Sequence, residues 1–351
     1  MPKASEYDDL PGVRKENDDP MEHQDKKVFV TGGAGFIGRA VVRRLLESGS
    51  DVVAFDLAEQ LELHRDTMAR LSALGNLELA DGTILDKRRL QTKVAGCDAV
   101  IHLAAMLGVR RTEENKLSCL QINITGSECV LDTCATHNVS RVLLASSSEV
   151  YGEPIKNPIS EVDITQGKTV YAVSKLASEE LIKGYHQLFP NLQYTILRFF
   201  NTYGEGQVTQ FVLAKFVHAV LSGKNPVVYG DGQQLRGYGH VDDVSKGVVD
   251  LLWNPKAYNN TYNLGNSQEV FTLEQLAQKT IDILAPEKGL EVEILGDFEG
   301  TDRHASREIH NRICNTTRAK TDIGFVPKIG IEEGIQRIAE HGTFQLDWPK
   351  S

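Results

Sequence analysis

Six short apolar runs recur along the chain, separated by longer stretches in which apolar residues return at helical spacing. The runs fall at 27–31, 52–56, 77–80, 98–103, 141–146 and 194–199 and consist mostly of Val, Ile, Leu, Phe and Ala. The stretches at 36–48, 86–94, 114–137 and 169–189 predict helices between them. Strands this uniformly apolar are buried on both faces, which requires helices above and below a parallel sheet. The pattern therefore predicts an α/β fold with a doubly wound parallel sheet. Such sheets bind ligands beyond the C-terminal ends of their strands.

The texture changes at both ends. Residues 1–26 mix Asp, Glu, Lys and Pro with almost no apolar periodicity and predict a disordered tail. After about residue 200, glycine-rich turns (Tyr203-Gly204-Glu205-Gly206, Tyr229-Gly230-Asp231-Gly232) alternate with helices predicted at 209–222, 242–253 and 272–285. This predicts a smaller second lobe over 200–351 that completes a cleft, with the stretch at about 240–260 packing back on the first domain, 27–199. Within 114–137, Leu117, Leu120, Ile124 and Leu131 recur at roughly helical spacing and predict a stripe facing the core.

Composition changes this picture only by exclusion. With 351 residues, 41% of them hydrophobic and 25% charged, the chain is an ordinary globular one. Its net charge of −10 argues against a nucleic-acid surface, which needs a basic stripe. Cys97, Cys119, Cys129, Cys134 and Cys314 form no CxxC pair and lie mostly in apolar stretches, so free buried thiols and no metal site are expected. No apolar run approaches the roughly 18 residues of a membrane span, and no secretory leader pattern is present. A cytoplasmic protein without membrane contact is expected.

The first chemistry lies between the first strand and the first helix. In Thr31-Gly32-Gly33-Ala34-Gly35-Phe36-Ile37-Gly38, glycines 33, 35 and 38 satisfy GxGxxG. The first permits a tight turn, the second lets backbone approach a pyrophosphate, and the third lets helix pack on strand. The helix N-terminus then offers free N–H groups to an anion. The second strand ends in Asp56, near the roughly 20-residue distance at which an acid meets the adenosine ribose of a dinucleotide. That carboxylate repels a 2′-phosphate, and Leu57-Ala58-Glu59-Gln60 contains no Arg or Lys to attract one. The expected cofactor is NAD.

The second chemistry opens the helix at 169–189. Tyr171 and Lys175 lie four residues apart, one turn along a single helix face. An unperturbed phenol has a pKa of about 10, and a nearby ammonium favours its ionised form, which makes Tyr171 a candidate base. Ser146-Ser147-Ser148 follow the apolar strand Val142-Leu143-Leu144-Ala145, placing hydroxyls at a strand's C-terminal end. Ser147 is the favoured catalytic serine, with Ser148 the alternative register.

These motifs carry a resemblance. From about residue 27 to about residue 340 the chain resembles the extended short-chain dehydrogenase/reductases of the nucleotide-sugar epimerase/dehydratase family. TGGAGFIG (31–38), HLAA (102–105), SSSEVYG (146–152), YAVSK (171–175), RFFNTYG (198–204), GDGQQLRGYGHVDD (230–243) and YNLGN (262–266) stand in the family's order. The resemblance implies a Rossmann-type domain with a smaller α/β C-terminal substrate-binding lobe, tightly held NAD, a nucleotide-diphosphate sugar substrate and a homodimer. It implies cofactor contacts by Gly32, Gly35, Phe36, Ile37, Gly38, Asp56, Ala104, Tyr171 and Lys175, with Lys175 on the nicotinamide ribose. It also implies that Asn123 supports the active-site backbone and that Ser148, Asn201 and Arg236 meet the substrate. Arg303 and Arg307 are further phosphate candidates in a segment that departs from the family pattern. Thr83 stands where relatives usually have an adenine-contacting aspartate. The loop Met106–Arg111 faces the sugar in relatives; Arg110 or Arg111 is a candidate for a sugar carboxylate, a surface role being the other reading.

The resemblance also implies oxidation of the hexose at C4 to a ketone, with Tyr171 taking the hydroxyl proton. Glu149 then divides the outcomes. Dehydratases and decarboxylases of the family have a glutamate two residues after the catalytic Ser or Thr, where many 4-epimerases have a small residue. Ser147, Glu149, Tyr171 and Lys175 are thus the expected catalytic set, and the favoured outcome is 4,6-dehydration or C5 decarboxylation. A 4-epimerase is the alternative, and a non-catalytic NAD-binding sensor the remote one.

Overall fold

Val28 and Val30 of the first strand, β1 (Lys27–Thr31), pack into one apolar cluster and Phe29 into another. The same split recurs in β2 (Asp51–Asp56), with Val52 and Ala54 on one side and Val53 and Phe55 on the other. Alternate side chains of a strand face opposite ways, so a strand apolar throughout requires a covered sheet on both sides. The computed structural model describes residues 26–296, 309–342 and 344. Arg303, Arg307 and residues 1–25 lie outside them.

With β3 (Leu77–Asp81), β4 (Ala99–His102), β5 (Arg141–Ser147) and β6 (Gln193–Phe199), these strands form one parallel sheet. The order is Asn260–Leu264, β6, β5, β4, β1, β2, β3. The seventh strand, Asn260–Leu264, is one the apolar runs do not announce; it pairs parallel with β6. The order reverses between β1 and β4, which opens a crevice at the strands' C-terminal ends. Helix α1 (Phe36–Glu47) covers one face with Val41, Val42 and Leu45, and Val244 and Val248 of the Val241–Leu252 helix join the same cluster. The opposite face is covered from the Gly126–Thr136 and Val170–Leu188 helices by Val130, Leu131 and Ile182. The helices Val212–Leu221, Leu273–Leu284 and Ile331–His341 build a separate core around Phe216, Leu276 and Ile335.

The helix predicted over 114–137 is not continuous. Lys116–Leu120 passes into a π-helical turn, Gln121–Thr125, before Gly126–Thr136 resumes the α-helix. The stripe read from its spacing divides accordingly: Leu131 is fully buried, whereas Leu117 is 83% exposed. A π turn inserts a residue into the helical register, so residues before and after it no longer share a face. Among the described residues no helix is long and apolar enough to cross a membrane, and no group of His, Cys, Asp or Glu could hold a metal ion. All five cysteines are free, and four are buried.

Candidate active site

The glycine turn is shaped by contacts that leave no space for side chains. A Cβ on Gly38 would lie 1.9 Å from the Gly32 carbonyl oxygen, and one on Gly32, at φ +71°, would lie 2.8 Å from Ala104 N. Gly35 stands at the N-cap of α1 and supplies no side-chain cap, so the helix's first N–H groups face the turn. Asp56, at the end of β2, accepts from Ala34 N at 3.0 Å and Leu57 N at 2.8 Å. Burial raises its carboxyl pKa, opposed by these donors and by Arg39. Arg39 donates to the carbonyls of Ala34 at 2.6 Å and Gly206 at 3.2 Å, tying the turn to the second lobe. An uncapped helix N-terminus beside closely approaching backbone, with a carboxylate at the next strand's end, fits a dinucleotide's pyrophosphate and ribose. Thr83 makes only a local turn, its Oγ1 accepting from Leu85 N.

Three neighbouring serines have three different environments. Ser146 donates to Glu179 at 2.5 Å, and Ser148 is buried at the start of a short 3₁₀ turn, Ser148–Tyr151. Ser147, the last residue of β5, accepts from Glu149 N at 3.2 Å, and its hydroxyl acts to lower the Tyr171 pKa. The strand's alternation thus sends Ser147 alone toward the tyrosine.

Thr169 caps the Val170–Leu188 helix, accepting from Ala172 N at 3.1 Å. Lys175 Nζ donates to the Ala145 carbonyl at 3.0 Å and lies 5.9 Å from the Tyr171 ring centre. Burial lowers the Lys175 pKa to about 8, with the Cys119 thiol and Glu179 acting in the opposite direction. The sequence leads one to expect a tyrosine made more acidic by this ammonium. Instead, enclosure of the phenol raises the Tyr171 pKa, the Glu149 charge adds to the rise, and Ser147 and Arg312 act against it. Desolvation of a phenolate outweighs the attraction of nearby cations.

Asn123 lies in the π turn and clamps Met106 from both sides, Oδ1 accepting from Met106 N at 2.7 Å and Nδ2 donating to Met106 O at 3.0 Å. Its Nδ2 also reaches Ser174 Oγ at 2.9 Å. The same loop carries Arg111, whose pKa burial lowers; the side chain of Arg110 lies outside the described residues.

Arg236 is 6% exposed and donates to the carbonyls of Leu235, Ile309 and His310. It thereby anchors the stretch 309–313. That segment carries Arg312, which sequence reasoning missed. Arg312 Nη2 donates to Asn201 Oδ1 at 3.1 Å, its charge reaches Tyr171, and its Nε is a buried donor without a partner among the described residues. The only local signal was a cation between Ile309 and Ile313; its place depends on pairing between Asn311–Arg312 and Leu235–Gly237.

The model of the NAD dependent epimerase/dehydratase family matches residues 28–265. The chain belongs to that family. It is 30% identical over 316 residues to a putative UDP-glucose 4-epimerase of Methanocaldococcus jannaschii, covering 89% of this chain and 96% of that one. It is 31% identical over 323 residues to a UDP-N-acetyl-alpha-D-glucosaminuronate decarboxylase of Bacillus cytotoxicus, with the same coverage, 89% and 96%. Among solved structures, the UDP-glucuronic acid 4-epimerase of Bacillus cereus, in complex with UDP-glucuronic acid and NAD, superposes with a TM-score of 0.79 at 26% identity, covering 90% of this chain and 98% of that one. This epimerase/dehydratase-family chain is therefore an NAD-dependent enzyme whose relatives carry out more than one reaction.

Proposed function

We propose that this enzyme oxidises a nucleotide-diphosphate hexose at C4 and then moves a proton at C5 with Glu149, ending in 4,6-dehydration or C5 decarboxylation. One observation carries the reading. The Glu149 carboxylate accepts at Oε2 from Thr169, two residues before Tyr171, at 3.3 Å, and its charge acts on the Tyr171 phenol. A 4-epimerase only turns its ketone over and has no task for a second base.

NAD, when bound, supplies reversible two-electron oxidation of the sugar alcohol. Gly32, Gly35, Phe36, Ile37, Gly38, Asp56 and Ala104 would hold it, with Lys175 at the nicotinamide ribose. Tyr171, as the phenolate that the positive nicotinamide ring would favour, takes the C4 hydroxyl proton onto its phenolic oxygen, and Ser147 orients that hydroxyl. Once C4 is a ketone, C5 becomes the site of proton transfer. In dehydration Glu149 removes the C5 proton as the C6 hydroxyl leaves with a proton as water, and the hydride taken from C4 would return to C6 as Glu149 gives a proton back to C5; in decarboxylation carbon dioxide leaves C5, Glu149 delivers a proton there, and the hydride would return to C4. We assign the diphosphate or a sugar carboxylate to Asn201 and Arg312, the frame that holds them to Arg236, and a sugar contact to Ser148; the bond of Arg312 to Asn201 and those of Arg236 to the Ile309 and His310 carbonyls support this. The chain works as a cytoplasmic homodimer, with Leu117, Val173 and Leu188 exposed on the helices that would pair.

The test is product mass and isotope content after incubation with UDP-, GDP-, CDP- and dTDP-sugars in deuterium oxide. A product lighter by water or carbon dioxide, with solvent deuterium at C5 and lost in Glu149→Gln, is expected. A product of unchanged mass with no C5 label overturns the reading in favour of a 4-epimerase, the activity named for the 30%-identical archaeal relative. No conversion of any of these sugars by the parent protein with NAD bound would leave only a non-catalytic dinucleotide site.

A further inference from the structure

We propose that Thr169 is a positioning residue that sets the Glu149 carboxylate at the distance from Tyr171 that C5 proton transfer requires; this rests on the role given to Glu149 above. The Thr169 hydroxyl makes two bonds in opposite senses. It accepts from Ala172 N at 3.1 Å, capping the helix, and donates to Glu149 Oε2 at 3.3 Å. A hydroxyl has one proton and two lone pairs, so both bonds form together without competition.

The backbone of Glu149 is already held, because its N–H donates to Ser147 Oγ. Its side chain is not. The carboxylate stands at the end of rotatable bonds, and the Thr169 hydroxyl is its hydrogen-bond donor among the described residues. Branching at Cβ restricts the threonine rotamer, so the donor is itself fixed. Thr169 lies two residues before Tyr171 on the same chain, so the tether also sets the spacing of the two groups. That spacing matters because they act on neighbouring atoms of one sugar ring, the C4 oxygen and C5. A misplacement of about 1 Å between reacting groups costs on the order of 10²-fold in rate.

The cap and the tether can be separated. Aspartate and serine both cap helices well, but aspartate has no proton to donate and sets a second negative charge beside Glu149. The helix start has an independent anchor as well, Val170 N donating to Glu113 Oε1 at 3.2 Å. Thr169→Asp therefore keeps the helix start and loses the tether, Thr169→Val loses both bonds, and Thr169→Ser keeps both.

The experiment uses the full chain with NAD bound, the probes dTDP-glucose and UDP-glucuronate, and deuterium oxide as solvent. Two quantities are read for each variant: the rate at which the bound cofactor is first reduced, and the rate at which solvent deuterium enters C5. In Thr169→Val and Thr169→Asp, C5 labelling is expected to fall by about tenfold or more with first reduction within about threefold of the parent, while Thr169→Ser restores labelling. Labelling unchanged in both variants while Glu149→Gln abolishes it overturns the positioning role and leaves the Glu149 reading standing. Equal loss of both rates in Thr169→Asp marks a structural residue and also overturns it. Labelling that survives in Glu149→Gln, or that the parent enzyme makes from neither probe, removes the Glu149 reading and this proposal together.

Discussion

Arg198 grips Glu179 through two hydrogen bonds, Nε to Oε1 at 2.9 Å and Nη2 to Oε2 at 2.6 Å, directly beneath the serine cluster. The pair is almost fully buried, with side chains 7% and 1% exposed. Ser146 donates to the same carboxylate, and Arg198 Nη1 donates to Tyr151 Oη, which in turn donates to Asn263. One charge pair thus joins β5, the Tyr171 helix, β6 and the seventh strand.

Removing one partner of a buried pair leaves an uncompensated charge and typically costs about 3–5 kcal/mol, whereas removing both costs far less. Glu179→Gln and Arg198→Met are each expected to lower Tm sharply. The double variant Glu179→Gln/Arg198→Met is expected to recover part of the loss. Thermal unfolding of the four proteins checks this, and additive losses would show that the two side chains do not act as a pair.

The charges around Tyr171 predict opposite effects from two substitutions. Glu149 raises the phenol pKa and Arg312 lowers it. Glu149→Gln is therefore expected to make Tyr171 more acidic and Arg312→Gln less acidic, and bound NAD, which carries a positive ring, to make it more acidic in every variant. Tyrosinate absorbance titrated against a Tyr171→Phe reference measures each shift. Movement of both substitutions in one direction would contradict the arrangement.

Glycine positions separate steric from conformational cost. Gly38 has no space for a Cβ, with Gly32 O at 1.9 Å, whereas Gly96, at φ +76°, has nothing within 4 Å of that position. Gly96→Ala is expected to cost about 1 kcal/mol, from backbone strain alone. Gly38→Ala displaces the turn itself and is expected to abolish NAD binding as well as lower Tm. Dinucleotide affinity measured beside Tm distinguishes the two variants.

What was legible in the sequence follows from the range over which each feature is determined. Five of the six strands were readable because burial on both faces demands unbroken apolar residues, while β3, at the sheet edge, carries Glu78 and exposes Leu79; Tyr171 and Lys175 were readable because one helical turn is a local distance. Asn260–Leu264 escaped because three of its residues, Asn260, Thr261 and the fully buried Asn263, are polar, and its pairing with β6 is fixed only in three dimensions. Helices Ala58–Leu63 and Arg65–Ser72 present few apolar positions and bury only Met68 and Leu71. Arg312 and the bond between Thr169 and Glu149 depend on contacts between distant segments, which no spacing rule encodes. The rise of the Tyr171 pKa in the protein alone is hidden from the sequence for the same reason, since desolvation depends on what encloses a group and not on its neighbours in the chain.

His102 makes the stability of the nucleotide crevice depend on pH. It is buried between Thr31, whose Oγ1 lies 2.7 Å from Nδ1, and Ser127, whose Oγ lies 3.0 Å from Nε2. Burial, aided by the Lys175 charge, lowers its pKa from 6.5 to about 3. In the unfolded chain the ring binds a proton below about 6.5, but in the folded chain it does not until about 3. The unfolded state therefore holds the extra proton throughout that interval. The stabilisation is fully present above about pH 6.5 and is lost as pH falls, at up to about 1.4 kcal/mol per pH unit. His64, which burial and then Arg39 bring down to about 4, adds to the same trend over a narrower range. Denaturant unfolding at a series of pH values is expected to show this slope, and His102→Gln to reduce it by about one proton. Thr31 also accepts from Ala104 N at 3.2 Å beside the glycine turn, so the folded parent is expected to keep its NAD affinity with respect to His102 over that interval and to lose affinity only as pH nears about 3, where the ring itself protonates. An unchanged slope in His102→Gln would assign the acid sensitivity to other groups.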